Sequence, residues 1–173
     1  LDGFDGVTTC CSIDVELRQG AFDVKVEAES NLLEYVKTEV VGRRLKIGFK
    51  DRVNIRSYEQ ITVYVSLPEL EYVKASSSGK AYSNGNFTGD ELELDVSSGA
   101  KIEMSFTGNE VEADASSGGR VEVKGAGTTV RAEASSGGSV RAGDFAAKRG
   151  RCNSSSGGGV TVRVSEQLDA DAS

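Results

Sequence analysis

The triplet Ser-Ser-Gly recurs five times after residue 76: Ser77-Ser78-Gly79, Ser97-Ser98-Gly99, Ser116-Ser117-Gly118, Ser135-Ser136-Gly137 and Ser155-Ser156-Gly157. Successive glycines lie 20, 19, 19 and 20 residues apart. A fixed period near 20 predicts a solenoid, whose units bury their apolar faces only against one another. Of the chain's 21 Gly and 21 Ser, 33 follow Pro68. Scattered, such a composition would suggest a flexible linker. At this spacing it marks corners.

Between the triplets the apolar residues alternate, which is the strand period. Leu92, Leu94 and Val96 enter the second triplet, and Ile102, Met104 and Phe106 leave it. Val111, Ala113 and Ala115, then Val130, Ala132 and Ala134, repeat the pattern. Gly79, Gly99, Gly118, Gly137 and Gly157 are expected to supply positive φ at the corners. Gly89, Gly108 and Gly127 lie midway and predict a second tight turn in each repeat. Identical register in successive repeats lets strands stack in parallel, about 4.8 Å apart. The expected fold is an all-β, right-handed parallel β-helix, with small inward Ala and Val filling a thin interior. Residues 143–154 fit worst, because Gly150, Cys152 and Ser154 replace Val or Ala, so a bulge or looser coil is expected there. The phase of residues 80–89 stays open.

The sequence divides into residues 1–67 and 68–173. The first part is also strand-rich, with Ile13, Val15 and Leu17, then Val24 and Val26, then Leu45 and Ile47, then Val63, Val65 and Leu67. These strands are expected to pack on the solenoid and cap its open end, or to belong to one continuous domain with it. Ser173 stands where a further copy would begin.

Composition narrows the functional classes. The absence of His removes the usual zinc site and the Ser-His and Cys-His nucleophile pairs. A formal charge of −7 argues against nucleic acid. No stretch approaches the roughly 20 apolar residues of a membrane span. Cys10 and Cys11 are adjacent and Cys152 is distant, an odd set that favours buried thiols over a disulfide framework.

Several segments carry a family resemblance: Phe4-Asp5-Gly6-Val7, Ile13 to Gly20, Asn31 to Val40, Leu45-Lys46-Ile47, Val63 to Leu70, and the recurring Ser-Gly turns. Together they resemble the bacterial family described as "putative auto-transporter adhesin, head GIN domain", common in Bacteroides and its Gram-negative relatives. The resemblance covers nearly the whole chain. It implies a right-handed parallel β-helix similar to pectin-lyase folds but lacking their catalytic residues. It also implies export to the cell envelope and a role in adhesion. Where the family turn is closer to Gly-Ser-Gly, this chain has Ser-Ser-Gly.

Stacking the repeats on their turns aligns the outward residues in columns. One reads Asp95, Asp114, Glu133, Asn153, Asp171, the next Glu93, Glu112, Arg131, Arg151, Asp169, and the third Glu91, Glu110, Thr129, Arg149, Gln167. Like charges directly opposite one another in a sheet are unfavourable. Salt-screened solvation would relieve them, and so would a calcium ion held by Glu93, Asp95, Glu112 and Asp114. The strand after each triplet carries Lys101, Arg120, Lys124, Arg141 and Arg163 against Glu103 and Glu122. That asymmetry predicts a positive face, and with it either side-by-side homo-oligomeric association or orientation of the protein at a charged surface. The serines read as turn formers; a catalytic nucleophile among them lacks a base, and an ice-binding array is disfavoured by the charged flat faces.

The reading that best joins these features is a non-enzymatic surface β-helix, an adhesin or interaction module whose partner is a glycan or protein. It needs no cofactor. The alternatives are a structural spacer or envelope-sensing domain, and a polysaccharide-binding or polysaccharide-processing β-helix. The last would use Arg131 and Arg151 near Asp114 and Glu133. Tyr58, Tyr64, Tyr72 and Tyr82 are expected in the core or at edges rather than as sugar platforms. No targeting segment is visible; a removed signal peptide or lipoprotein leader is expected ahead of Leu1.

Overall fold

The computed structural model describes residues 1–50 and 60–173, so Tyr58 lies outside the described residues. Period-2 alternation becomes strand throughout: β1 (Gly6–Thr9), β2 (Asp14–Gln19), β3 (Asp23–Glu27), β4 (Val36–Val41), β5 (Arg44–Phe49), β6 (Thr62–Leu67), β7 (Tyr72–Ala75), β8 (Lys80–Ser83), β9 (Phe87–Thr88), β10 (Glu91–Val96), β11 (Lys101–Ala115), β12 (Arg120–Ala134), β13 (Ser139–Ser154) and β14 (Gly159–Ala172). One 3-10 turn, Leu33–Tyr35, precedes β4. The chain is a β-solenoid of stacked parallel strands. One face runs β5, β1, β7, β10 and then the second halves of β11 to β14. A second face runs β6, β2, β8 and then the first halves of β11 to β14.

The coil formed by β1 and β2 is therefore spatially internal, between the β5/β6 coil and the β7/β8 coil. The parallel stack crosses the 67/68 position, and one apolar cluster extends from Phe4 to Cys152. Among the described residues only β3 and β4 run antiparallel, against β6 and β5. Their reversal closes an edge that parallel pairing would leave open.

The corners are two-residue turns in which Ser98 and Gly99, Ser117 and Gly118, Ser136 and Gly137, and Ser156 and Gly157 all have positive φ. A hydrogen bond closes each turn, as from the Ala100 N–H to the Ser97 carbonyl (3.1 Å) and from the Gly138 N–H to the Ser135 carbonyl (2.8 Å). Two consecutive left-handed residues closed in this way form a type I′ turn. Successive turns bond to one another: the Gly99 N–H donates to the Ser117 carbonyl and the Gly118 N–H to the Ser136 carbonyl. The ladder thus continues round the bend, and these backbone groups keep partners.

Three expectations change. Gly79 is displaced by one position: the left-handed residues of its turn are Ser77 and Ser78, and the Gly79 N–H closes onto Ser76. A sixth corner, Cys10-Cys11-Ser12-Ile13, has no glycine, yet Cys11 and Ser12 have positive φ and the Ser12 N–H bonds to the Ser77 carbonyl. Two of the midway glycines are not tight turns, because β11 and β12 pass through Gly108 and Gly127 without a break, whereas Gly89 lies between β9 and β10. A Cβ at Gly108 would lie 2.3 Å from the Gly89 carbonyl oxygen and 2.5 Å from the Phe106 ring, and one at Gly127 would lie 2.7 Å from the Phe145 ring and 2.8 Å from the Gly108 carbonyl oxygen. These glycines make room for the fully buried aromatic side chains.

The irregular coil is present, at its beginning. Register slips between β13 and its neighbours around residues 142–146, whereas Gly150, Cys152 and Ser154 stay opposite Val130, Ala132 and Ala134.

Candidate functional site

Where the loop before β5 and the segment joining β6 to β7 meet the solenoid, they leave a groove of about 810 Å³. Its lining holds Asp5, Glu69, Glu71, Asp90, Glu91, Glu93, Glu110 and Glu112 against Arg43 and Arg44. Arg43 pairs with Asp5 and reaches Glu71 at 3.6 Å. The Arg44 guanidinium stacks 3.6 Å from the centre of the Tyr72 ring, which is thereby closed to a ligand. Gln19 ties the groove together. Its Nε2 donates to the carbonyls of Pro68 and Thr88, each at 3.0 Å, and its Oε1 accepts from the Thr88 N–H at 2.9 Å. Neither Gln19 nor the two arginines stands out in the sequence; the folding back of β5 beside β1 brings Arg43 and Arg44 here, and the pairing of β2 with β6 and β8 brings Gln19.

The outward columns are in the expected register. Tyr72, Glu93, Glu112, Arg131, Arg151 and Asp169 form one. Lys74, Asp95, Asp114, Glu133, Asn153 and Asp171 form the next. Lys74 pairs with Asp95, and this contact raises the lysine pKa. Asn153 Nδ2 donates to Glu133 at 2.8 Å. Asp114 lies between them, and burial, with further repulsion from Glu133, Glu112, Asp95 and Glu93, pushes its carboxyl up to about 6. Arg131 pairs with Glu110.

Glu93, Asp95, Glu112 and Asp114 do come together as two neighbouring register pairs. They project side by side from parallel strands, and no group of three or more acidic or thiol side chains among the described residues converges to hold a metal ion. Arg131 is opposite Glu112 and bonded to Glu110 rather than aimed at Asp114. A second hollow, of about 340 Å³, follows the column from Asp95 through Asp114 and Glu133 to Asp171 and the serine turns.

The other face is an ion-pair chain rather than a bare positive surface. Glu103 holds Lys80 (3.1 Å) and Lys101 (2.8 Å), and Glu122 holds Lys101 (3.7 Å) and Arg141 (3.8 Å). These contacts lower the Glu103 pKa, the hydrogen bond from Lys101 acting most strongly. No disulfide joins Cys10, Cys11 and Cys152, and Cys152 is buried.

This architecture, a parallel solenoid with short corners and an antiparallel cap, places the protein among the β-solenoids. The chain belongs to the family described as "Putative auto-transporter adhesin, head GIN domain", whose model matches residues 3–173. A solved adhesin-named structure from Bacteroides fragilis superposes with a TM-score of 0.91 at 15% identity, over 99% of this chain and 81% of that one. An adhesin-named structure from Parabacteroides merdae gives 0.70 at 17% identity, over 100% and 91%. A structure from Parabacteroides distasonis named as a lipid binding protein gives 0.69 at 19% identity, over 98% and 91%. At these identities the likeness shows the fold. No curated protein matches. No helix among the described residues is long and apolar enough to cross a membrane.

Proposed function

We propose that the chain is a non-enzymatic binding module of the adhesin type, exported and displayed at the cell envelope, which holds its ligand in the groove beside Gln19 and Tyr72. The observation that carries this reading is the charge of the groove, eight carboxylates against two arginines, on a scaffold stiffened by continuous hydrogen-bonded ladders. Such a lining favours a ligand with exposed cationic groups, a Lys- or Arg-rich protein segment or an amino sugar. It suits an acyl chain poorly. Family membership supports the adhesin class.

An array of glycans and extracellular-matrix proteins tests the reading, run with the wild type and with Glu69→Lys/Glu71→Lys. Binding to basic ligands that falls at least ~10-fold in the double variant is expected. Binding that ignores the substitutions would move the ligand out of the groove. Release of cleaved products from acidic polysaccharides would replace the module with an enzyme.

A further inference from the structure

The face carrying β10 and the second halves of β11 to β13 is divided along the solenoid axis into an acidic and a basic end. Glu91, Glu93 and Glu112 are exposed at one end, and Arg131, Arg149 and Arg151 at the other. Among the described residues no ion pair reaches Glu91, Glu93, Glu112, Arg149 or Arg151. The sheet register places Glu112 opposite Arg131, with Glu93 one strand beyond the first and Arg151 one strand beyond the second. In the adjoining column Glu91 and Arg149 stand at the same heights as Glu93 and Arg151.

We propose that this face is a self-complementary docking surface for a second copy of the chain, laid face to face with its solenoid axis reversed. A two-fold axis along the strand direction, midway between β11 and β12, leaves each column over itself and inverts its order. Glu112 then meets Arg131 of the second copy, Glu93 meets Arg151, and Glu91 meets Arg149. The symmetry repeats each contact, so six opposite-charge pairs form. In the corner column, Lys74 meets Asp171 and Asp95 meets Asn153, while Asp114 against Glu133 is the like-charge contact. Strand spacing of about 4.8 Å is common to both copies, so the match holds along the whole row.

Exposed ion pairs are individually weak, so association in the ~0.1–1 mM range is expected, a range that matters for proteins crowded on a surface. The inference does not rest on the groove ligand, because it is tested without one. Glu91, Glu93 and Glu112 do belong to both surfaces, so a basic ligand would compete with the second copy.

Sedimentation velocity over a concentration series, on folded protein verified by circular dichroism, tests it. Wild type should shift from monomer toward dimer, while Arg149→Glu/Arg151→Glu and Glu91→Arg/Glu93→Arg should each remain monomeric alone. Mixed at equal concentration, those two variants should associate about as tightly as wild type, because the mixed pair restores all six opposite-charge contacts. Lys124→Glu/Arg163→Glu, which makes the chain equally more negative on the other face, should still dimerise. A wild type that stays monomeric at ~1 mM overturns the proposal. So do a mixture that stays monomeric and an other-face variant that loses the dimer as completely.

Discussion

Asp114 and Glu133 stand directly opposite each other on parallel strands, carboxylate against carboxylate. Asp95 has Lys74 beside it and Glu133 has Asn153, but Asp114 has only acids as charged neighbours in its column. Its carboxyl, ordinarily at 3.8, is pushed up to about 6, first by burial.

The sign follows from proton linkage. Between about pH 4 and 6 the folded chain binds the Asp114 proton more tightly than the unfolded chain does, so stability from this group falls as pH rises through that window and then levels off. Asp114→Asn should remove the slope and raise stability at pH 8. Discounted for its partial exposure, the gain is about 1 kcal/mol, or about 2–4 °C in melting temperature. Thermal melts at pH 4.5 and pH 8 check this; an equal effect of the substitution at both values would contradict it.

The turns predict two different glycine costs. Gly118 has φ +74° with open space around it, and Ser78 already occupies the equivalent place in its own turn. Gly118→Ser should therefore cost only about 1 kcal/mol. At Gly138 a Cβ would lie 2.2 Å from the Ala115 carbonyl oxygen, a backbone atom with little freedom to yield. Gly138→Ala should cost about 1–3 kcal/mol and exceed the first. Urea denaturation of both variants gives the order directly.

Gln19 bonds as a donor to two carbonyls from different segments, Pro68 and Thr88. Gln19→Leu removes both donors and the acceptor, so it should destabilise by about 1–3 kcal/mol. Hydrogen exchange at the Thr88 amide should also accelerate, since that N–H bonds to the same side chain. Unchanged exchange would show that Gln19 does not hold this junction.

Burial raises both the Cys10 thiol, pushed up to about 12, and the Cys152 thiol. Since the thiolate is the reactive form, iodoacetamide at pH 8 should label these two slowly in the native protein. All three cysteines should label rapidly once it is unfolded. Mass analysis with peptide mapping reads the difference.

The solenoid was legible because the Ser-Ser-Gly corners recur, and Gly99, Gly118, Gly137 and Gly157 occupy the left-handed positions their chemistry predicts. The Cys10–Ile13 corner escaped because tertiary pairing with the Ser77 turn imposes left-handed geometry on residues that do not announce it. Gly108 and Gly127 misled for the opposite reason: glycine also appears where a neighbouring ring needs the space of a Cβ. The charge columns could be read from spacing alone, since parallel register preserves it. The groove could not, because it depends on β5 lying beside β1, a pairing between segments with no shared motif.

The bonded turns leave this protein only whole steps in which to change size. Gain or loss of one 19–20-residue unit would move everything beyond it by about 4.8 Å while keeping the ladder unbroken. The separation between the acidic row at Glu93 and the basic row at Arg151 is therefore quantised. A descendant of this chain could alter what it grips by duplicating a repeat, with no loop remodelled and no new core invented.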